Sequence, residues 1–284
     1  MRWAYYPGCC YHTSAREYDQ STRALCQKLG IELIDVPDWS CCGSTAAHGT
    51  SHLLALSLAA RNLVQAAQTG QDVMTSCAAC YQRLAWANYE LGQDASLRQQ
   101  VEDVIENPLP GGLRVLSSLD MMLEYGIDQL AAQVVKPLSG IKAAAYYGCL
   151  LVKPHQIGTD DPENPCKMDH LLQAVGATTV DWPFKTECCG ASLAVTNEDI
   201  VVALTARIIG SAVEAGANCI VTACPLCHFN LDYRQAKIAS KLGQNYRMPV
   251  FYFTQLLGLA VGLPALAVST HTHFVDTADL LAAV

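Results

Sequence analysis

The sequence predicts an α/β protein built from two similar halves, each a small, mainly parallel sheet flanked by helices. Short strand-like runs alternate with helix-like runs along the chain, as in proteins with parallel sheets. One pattern of cysteines and glycines also occurs twice: Gly8-Cys9, Cys41-Cys42-Gly43 and Cys77-x-x-Cys80, then Gly148-Cys149, Cys188-Cys189-Gly190 and Cys224-x-x-Cys227. A repeat that preserves order and spacing indicates duplication of one structural unit.

The first half is expected to alternate strands and helices around these cysteines. Ala15, Tyr18, Leu25 and Leu29 lie on one face of a helix in the first helix-like run. The predicted strands are 2–6, 31–36 and 72–75, and the predicted helices are 14–29, 52–69 and a helix that begins at about Cys80. The cysteines follow the carboxyl ends of strands, where open α/β sheets build their sites.

The second half repeats this order. Its predicted elements are 142–147, 167–176, 178–182, 197–215, 218–222 and 225–242. The apolar segment "MPVFYFTQLLGLAVGLPALAV" then predicts a strand at 250–253 and a buried helix at 254–262, which ends before Pro264. The segment is nearly long enough to span a bilayer, but glycines and a proline interrupt it. We therefore expect membrane contact to be peripheral at most.

A connecting segment, 107–140, joins the halves. It opens with the turn-forming run "NPLPGG", continues with a predicted helix at 117–133 and ends with "KPLSG". We place the domain boundary here, which gives a first domain at 1–136, including the linker helices, and a second at 137–284.

Composition restricts the possible functions. The net charge of −8 argues against nucleic acid as a partner. The chain runs from Met1 directly into a strand-like stretch without a long apolar signal, so we expect a cytoplasmic protein that is at most peripheral at the inner face of the membrane. Thiols stay reduced there, and the fourteen cysteines indicate metal or redox chemistry before disulfides.

Five repeated cysteines in each half leave several kinds of site open. A structural zinc site needs four ligands, and an ordinary cubane iron–sulfur cluster also uses four, whereas a larger or more open cluster would use all five. A glycine after two consecutive ligands tolerates positive φ and brings the backbone close to an inorganic core. The Cys-x-x-Cys places two thiols at a helix start, where free N–H groups stabilise anions.

The remaining cysteines fit less well into the repeat. Cys26, Cys166 and Cys219 lie in predicted elements without a counterpart in the other half, and we interpret them as small buried hydrophobic residues. Cys10 is ambiguous, because it adjoins Cys9 while Leu150 follows the equivalent Cys149.

Taken together, "YYPGCCYHTSAREYDQSTRALC…DWSCCG…TSCAACY" and "YYGCLLVKP…DWPFKTECCGASL…TACPLCHFNLD" resemble the two cysteine-rich CCG domains of the heterodisulfide reductase B-type subunit family over nearly the whole chain. The resemblance implies two non-cubane [4Fe–4S] clusters, each held by five cysteines. The implied ligands are Cys9, Cys41, Cys42, Cys77 and Cys80 for the first cluster, and Cys149, Cys188, Cys189, Cys224 and Cys227 for the second.

The family's activity, reductive cleavage of a disulfide between two clusters, implies a catalytic component of a multi-subunit electron-transfer complex. A C-type ferredoxin-like iron–sulfur protein and an A-type flavoprotein are the implied partners, consistent with the lack of a nucleotide-binding fingerprint in this chain. Five polar neighbours of the motifs are candidates for neutralising an anionic substrate or delivering protons: Arg83, Lys153, His155, Lys185 and His228. His48 and His52, at a helix start, are interpreted as structural.

Five alternatives remain open at this point. The same two-domain plan occurs in a sulfur-oxidising heterodisulfide-reductase-like complex that acts on lipoyl-bound sulfur. It also occurs in a succinate dehydrogenase or other quinone-linked oxidoreductase, and iron–sulfur subunits of lactate and glycolate oxidases are a third setting. A non-catalytic electron relay is a fourth possibility, and a zinc-binding interaction module is a fifth.

Overall fold

Two four-stranded sheets form the framework of the computed structural model, which describes residues 1–44 and 46–282. The strands of the first sheet are β1 (Arg2–Tyr5), β2 (Glu32–Asp35), β3 (Val73–Thr75) and β4 (Val115–Ser117). The strands of the second are β5 (Lys142–Tyr146), β6 (Thr178–Thr179), β7 (Cys219–Thr222) and β8 (Val250–Tyr252). The orders are β2-β1-β3-β4 and β6-β5-β7-β8, and all neighbouring strands are parallel. The predicted α/β class with two equivalent sheets is confirmed.

Helices connect and cover these sheets. The first half contains α1 (Arg16–Lys28), α2 (Ala46–Thr50), α3 (His52–Ala67), α4 (Ala78–Gln93), α5 (Ala95–Ile105), α6 (Ser118–Tyr125) and α7 (Ile127–Ala132). The second contains α8 (Lys167–Ala174), α9 (Glu198–Glu214), α10 (Pro225–Tyr233), α11 (Gln235–Leu242), α12 (Phe253–Ala260) and α13 (Ala278–Ala282). Short 3₁₀ turns lie at Cys9–His12, Ala191–Leu193 and Thr270–Thr272.

The structure differs from the predicted elements mainly in the connecting segment. The single helix predicted at 117–133 is the end of β4 followed by α6 and α7, which are separated by Gly126 at φ 109°. The helix predicted at 225–242 is divided at Arg234 into α10 and α11. The prediction also missed α5 and β4. A strand of three residues, such as β4, is too short to show an alternating pattern.

The two halves pack tightly against each other. Helix α1 of the first half lies along α12 of the second. The ring of Tyr18 stacks on that of Tyr252 at 4.0 Å between centroids, and Ser21 Oγ lies 2.8 Å from Thr254 Oγ1. Tyr81 donates a hydrogen bond of 2.5 Å to the carbonyl of Ile157. These buried contacts bring the strand ends of both sheets to a common interface.

The apolar C-terminal segment is part of this interior. Val250, Phe251, Leu256 and Leu257 of β8 and α12 are fully buried. Across residues 1–44 and 46–282, no helix combines the length and the apolar composition required to span a bilayer.

Candidate functional site

The first group of cysteines lies at the carboxyl ends of β2, β1 and β3. Cys9 follows β1, the Cys41-Cys42 pair follows β2, and Cys77 is the N-cap residue of α4, with Cys80 one turn into that helix. Because the strands are parallel, their ends meet at one edge of the sheet. The chain thus brings five thiols together that are up to 71 positions apart in sequence.

The thiols of this first group approach one another in pairs. Cys9 Sγ lies 3.8 Å from Cys41 Sγ, and Cys42 Sγ lies 3.4 Å from Cys80 Sγ. The thiol of Cys77 also interacts with that of Cys80. All five thiols are free.

The second group repeats this arrangement. Cys189 Sγ lies 3.4 Å from Cys227 Sγ, as Cys42 does from Cys80 in the first half. Cys149 interacts with Cys188, and Cys224, the N-cap residue of α10, interacts with Cys227. Pro225 occupies the first position of α10, where its fixed φ favours a helix start.

The two groups meet at the interface between the halves. The thiols of Cys77 and Cys224, both at helix starts, interact with each other. This contact raises the pKa of Cys77, whereas the pKa of Cys224 is lowered first by the hydrogen bond with Cys227 and then by that with Cys77, with further contributions from backbone N–H groups of α10. The fold therefore places both cysteine groups side by side.

The motif glycines allow close approach of the backbone to sulfur. Gly8 has φ 78°, and a Cβ there would lie 2.9 Å from Cys80 Sγ. The equivalent Gly148 has φ 67°, and its Cβ would lie 3.1 Å from Cys227 Sγ. As expected from the sequence, the glycines that follow the cysteine pairs also have positive φ, and each donates its N–H toward the first thiol of its pair, at 3.5 and 3.3 Å.

Two equivalent tyrosines hold the loops that carry the cysteine pairs. Tyr6, just after β1, donates a hydrogen bond of 2.6 Å to the carbonyl of Ser40. Tyr146, at the end of β5, donates one of 2.6 Å to the carbonyl of Glu187. These bonds explain why the repeated tyrosines accompany the Gly-Cys motifs.

Contacts among the thiols lower the pKa of some cysteines and raise the pKa of others. The hydrogen bond with Cys10 lowers the pKa of Cys9 to about 6, and the hydrogen bond with Cys149 lowers that of Cys188 to about 6. The pKa of Cys42 is also lowered, first by Cys41 and then by Cys80, with a smaller effect of the Arg83 charge. A lowered pKa favours the thiolate, which is the form that binds metal, and each group contains at least one such cysteine.

The donor set fits an iron–sulfur cofactor. Each group contributes thiols only, which are the usual ligands of iron–sulfur clusters. Gly8 and Gly148 leave beside these thiols the space that a side chain would fill. In the described part of the chain, no three His, Cys, Asp or Glu side chains converge closely enough to hold a single metal ion.

A cavity of about 280 Å³ lies between the halves, directly against the second group of cysteines. All five thiol-bearing residues of that group line it, together with Leu150 and Leu226. The first half contributes Ala78, Ala79 and Arg83 of α4 to its wall. We call this space the sulfur cavity. A larger groove of about 880 Å³, between α1 and the C-terminal segment, is lined by none of the ten repeated cysteines.

The structure places the five polar candidate residues in very different surroundings. Arg83 lines the sulfur cavity, and Lys153 lines a neighbouring one. Lys185 is buried and pairs with Asp169 at 3.4 Å, and His228 is buried with Nε2 2.9 Å from the carbonyl of Val250. His155 is exposed and lines neither cavity.

Three placements differ from the interpretation of the sequence or extend it. Cys166 is exposed just before α8 and is not a buried hydrophobic residue, whereas Cys26 and Cys219 are buried. His48, interpreted as structural, lines the sulfur cavity, and only the docking of the halves reveals this. The thiol of Cys10 is partly buried and forms a hydrogen bond with that of Cys9.

Comparisons with known proteins agree with the two-domain arrangement. Residues 3–85 and 143–232 match the family model of the CCG cysteine-rich domain. The chain is 33% identical over 281 residues to the 8-methylmenaquinol:fumarate reductase membrane anchor subunit of Wolinella succinogenes, covering 98% of both proteins. It is 31% identical over 285 residues to the B-type subunit of the ferredoxin:CoB-CoM heterodisulfide reductase of Methanosarcina mazei, covering 98% of this chain and 95% of that one.

A solved structure shares the fold. A hypothetical protein from Helicobacter pylori superimposes with a TM-score of 0.79 and 14% identity, covering 97% of this chain and 52% of the other. With the family match and full-length relatives, the resemblance inferred from the sequence is confirmed. The chain belongs to the heterodisulfide reductase B-type subunit family, with its two cysteine-rich CCG domains.

Proposed function

We propose that this chain is the iron–sulfur subunit of a multi-subunit oxidoreductase and that it carries out sulfur–sulfur redox chemistry at two non-cubane [4Fe–4S] clusters. The first cluster would be held by Cys9, Cys41, Cys42, Cys77 and Cys80, and the second by Cys149, Cys188, Cys189, Cys224 and Cys227. A C-type ferredoxin-like iron–sulfur protein and an A-type flavoprotein would complete the complex, on the cytoplasmic side of the membrane.

The observation that carries this proposal is the sulfur cavity at the junction of the two cysteine groups. The cavity touches one group directly and lies against α4, the helix whose N-cap residue is Cys77 of the other group. The contact between Cys77 and Cys224 brings the groups together. A substrate in this cavity would therefore lie within reach of both groups at once.

The reaction needs two electrons and two protons for each disulfide, which becomes two thiols when the S–S bond breaks. The clusters would supply the electrons, which arrive from the partner proteins. The residues of this chain bind and enclose the substrate. Leu150, Leu226 and the alanines of α4 exclude water from the S–S bond, and Arg83 offers a positive charge at the wall.

Turnover of a small disulfide tests this function. The protein would be purified without oxygen, loaded with iron and sulfide, and mixed with bis(hydroxyethyl) disulfide and a chemically reduced viologen dye. We expect two thiols to be released for each disulfide consumed. Fully loaded protein that oxidises no dye and releases no thiol would contradict disulfide chemistry.

A second candidate is a quinone-linked reductase component. The similarity to the membrane anchor subunit of a methylmenaquinol:fumarate reductase favours it. The same assay distinguishes the two functions when menadiol is offered as electron donor and the disulfide is omitted. Reduction of the protein by menadiol, with no response to disulfide, would support the quinone-linked function and exclude the first.

A further inference from the structure

A sixth thiol lies beside the first cysteine group. Cys10 follows Cys9 directly, whereas the residue after the equivalent Cys149 is Leu150, which carries no ligand atom. Five ligands for each cluster leave Cys10 unused. The two groups are therefore chemically unequal at this position, and the second half provides a natural comparison for the first.

The Cys10 thiol lies among the proposed ligands. It forms a hydrogen bond with the thiol of Cys9, and it interacts electrostatically with the thiols of Cys77 and Cys224 at the interface between the halves. The side chain of Cys10 is partly buried and packs against the apolar core. A thiol that contacts a ligand sulfur in this way needs only a small movement to reach the same metal.

The backbone at Cys10 is held in place, so that movement would come from the side chain alone. The carbonyl of Cys10 accepts hydrogen bonds from the N–H groups of Thr13 and Ala15, at 3.1 and 3.0 Å. These bonds lie at the end of the 3₁₀ turn Cys9–His12. Rotation of a cysteine between its staggered rotamers moves the sulfur and leaves such a turn unchanged.

The ligand that Cys10 adjoins is an exposed one. Cys9 is exposed, whereas Cys10 is partly buried and three of the other four proposed ligands of the group are buried. Thiols that are accessible to solvent are the ones that react most readily with external reagents. The bond between metal and Cys9 is therefore more open to attack than the bonds to the buried cysteines.

We propose that Cys10 is a reserve ligand of the first cluster and binds iron in place of Cys9 when the Cys9 thiolate dissociates or is absent. In the exchange, one bond from iron to the Cys9 sulfur breaks and one to the Cys10 sulfur forms. The proton that Cys10 releases on binding balances the one that Cys9 takes up. The proposal rests on the proposed function for the presence of a cluster in this group, and it adds a sixth ligating residue.

Iron content tests the reserve ligand directly. Each variant would be purified without oxygen and loaded with iron and sulfide like the unchanged chain. Cys9→Ala should retain about eight iron atoms, whereas Cys149→Ala should retain about four, because Leu150 cannot replace the lost ligand. The double variant Cys9→Ala/Cys10→Ala should also fall to about four. The iron of the second group shows that a variant of the first has folded.

A second measurement requires no loss of a proposed ligand. Cys10→Ala should hold about eight iron atoms, but half of its iron should pass to an added chelator severalfold faster than in the unchanged chain. The reason is that no thiol would then recapture the iron when Cys9 dissociates. Cys166→Ala is the matched control, since Cys166 is exposed and lies outside the repeated pattern. That variant should release its iron at the unchanged rate.

The outcomes separate this proposal from the proposed function. About four iron atoms in Cys9→Ala, about eight in the double variant or in Cys149→Ala, or equal iron release in Cys10→Ala and the unchanged chain would each overturn the reserve ligand. An unchanged chain that still holds about eight iron atoms and cleaves disulfide would leave the proposed function intact in each case. Zinc in place of iron in the unchanged chain would overturn both proposals.

Discussion

Cys188→Ala is expected to yield a protein with about half of the iron and acid-labile sulfide of the unchanged chain, and without disulfide turnover. Cys188 interacts with Cys149, lines the sulfur cavity and has a pKa lowered to about 6, so it is largely a thiolate at neutral pH. Removing it takes one of five proposed ligands from the second group. The first group should keep its cluster of about four iron atoms.

A second cysteine in the same half provides the control. Cys166 is exposed, lies outside the repeated pattern and lines neither cavity. Cys166→Ala should therefore keep the full iron content and the full rate. Full iron and activity in Cys188→Ala, measured beside this control, would refute the ligand assignment.

Gly8→Ala is expected to disrupt the first cysteine group as severely as loss of a ligand. The new Cβ would lie 2.9 Å from Cys80 Sγ, a sulfur that also contacts Cys42 at 3.4 Å. Because Gly8 itself has φ 78°, neither the new Cβ nor the Cys80 sulfur can move away without rearranging the motif loop. We expect the iron content to fall by about half, with the second group unaffected.

Gly70→Ala separates this close approach from backbone strain. Gly70 has a similar φ of 68°, but a Cβ there would have no atom within 4 Å. The Gly70→Ala variant should lose only about 1–2 kcal/mol of unfolding free energy, the strain of a left-handed residue, and should keep all its iron. If both variants lost equal iron, backbone strain alone would be the cause and the close approach would be irrelevant.

The sequence predicts the framework well because duplication repeats each signal. Either half alone shows weak strands, but the matched flanks of Cys9 and Cys149 and the equal spacing of the later motifs support one another. The positive φ of Gly43 and Gly190 was also predictable, because each glycine follows two consecutive cysteines that could both be ligands. The three residues of β4 carry no such signal, and they are the strand that the prediction missed.

The site was less predictable because it depends on how the halves dock. The contact between Cys77 and Cys224 joins residues 147 positions apart, and no local pattern indicates it. His48 and Arg83 likewise meet across 35 positions and face the second half only after docking. Sequence motifs could therefore propose the cysteines and name Arg83 as a candidate, while the cavity and the place of Arg83 in its wall required the structure.

The content of iron and acid-labile sulfide per chain, determined on anaerobically purified protein with EPR spectra before and after addition of a disulfide, tests the central claim most directly. We predict about eight iron atoms and a paramagnetic signal that appears with the disulfide, as expected for two working [4Fe–4S] clusters. Zinc in place of iron, or about four iron atoms without a disulfide response, would contradict the account.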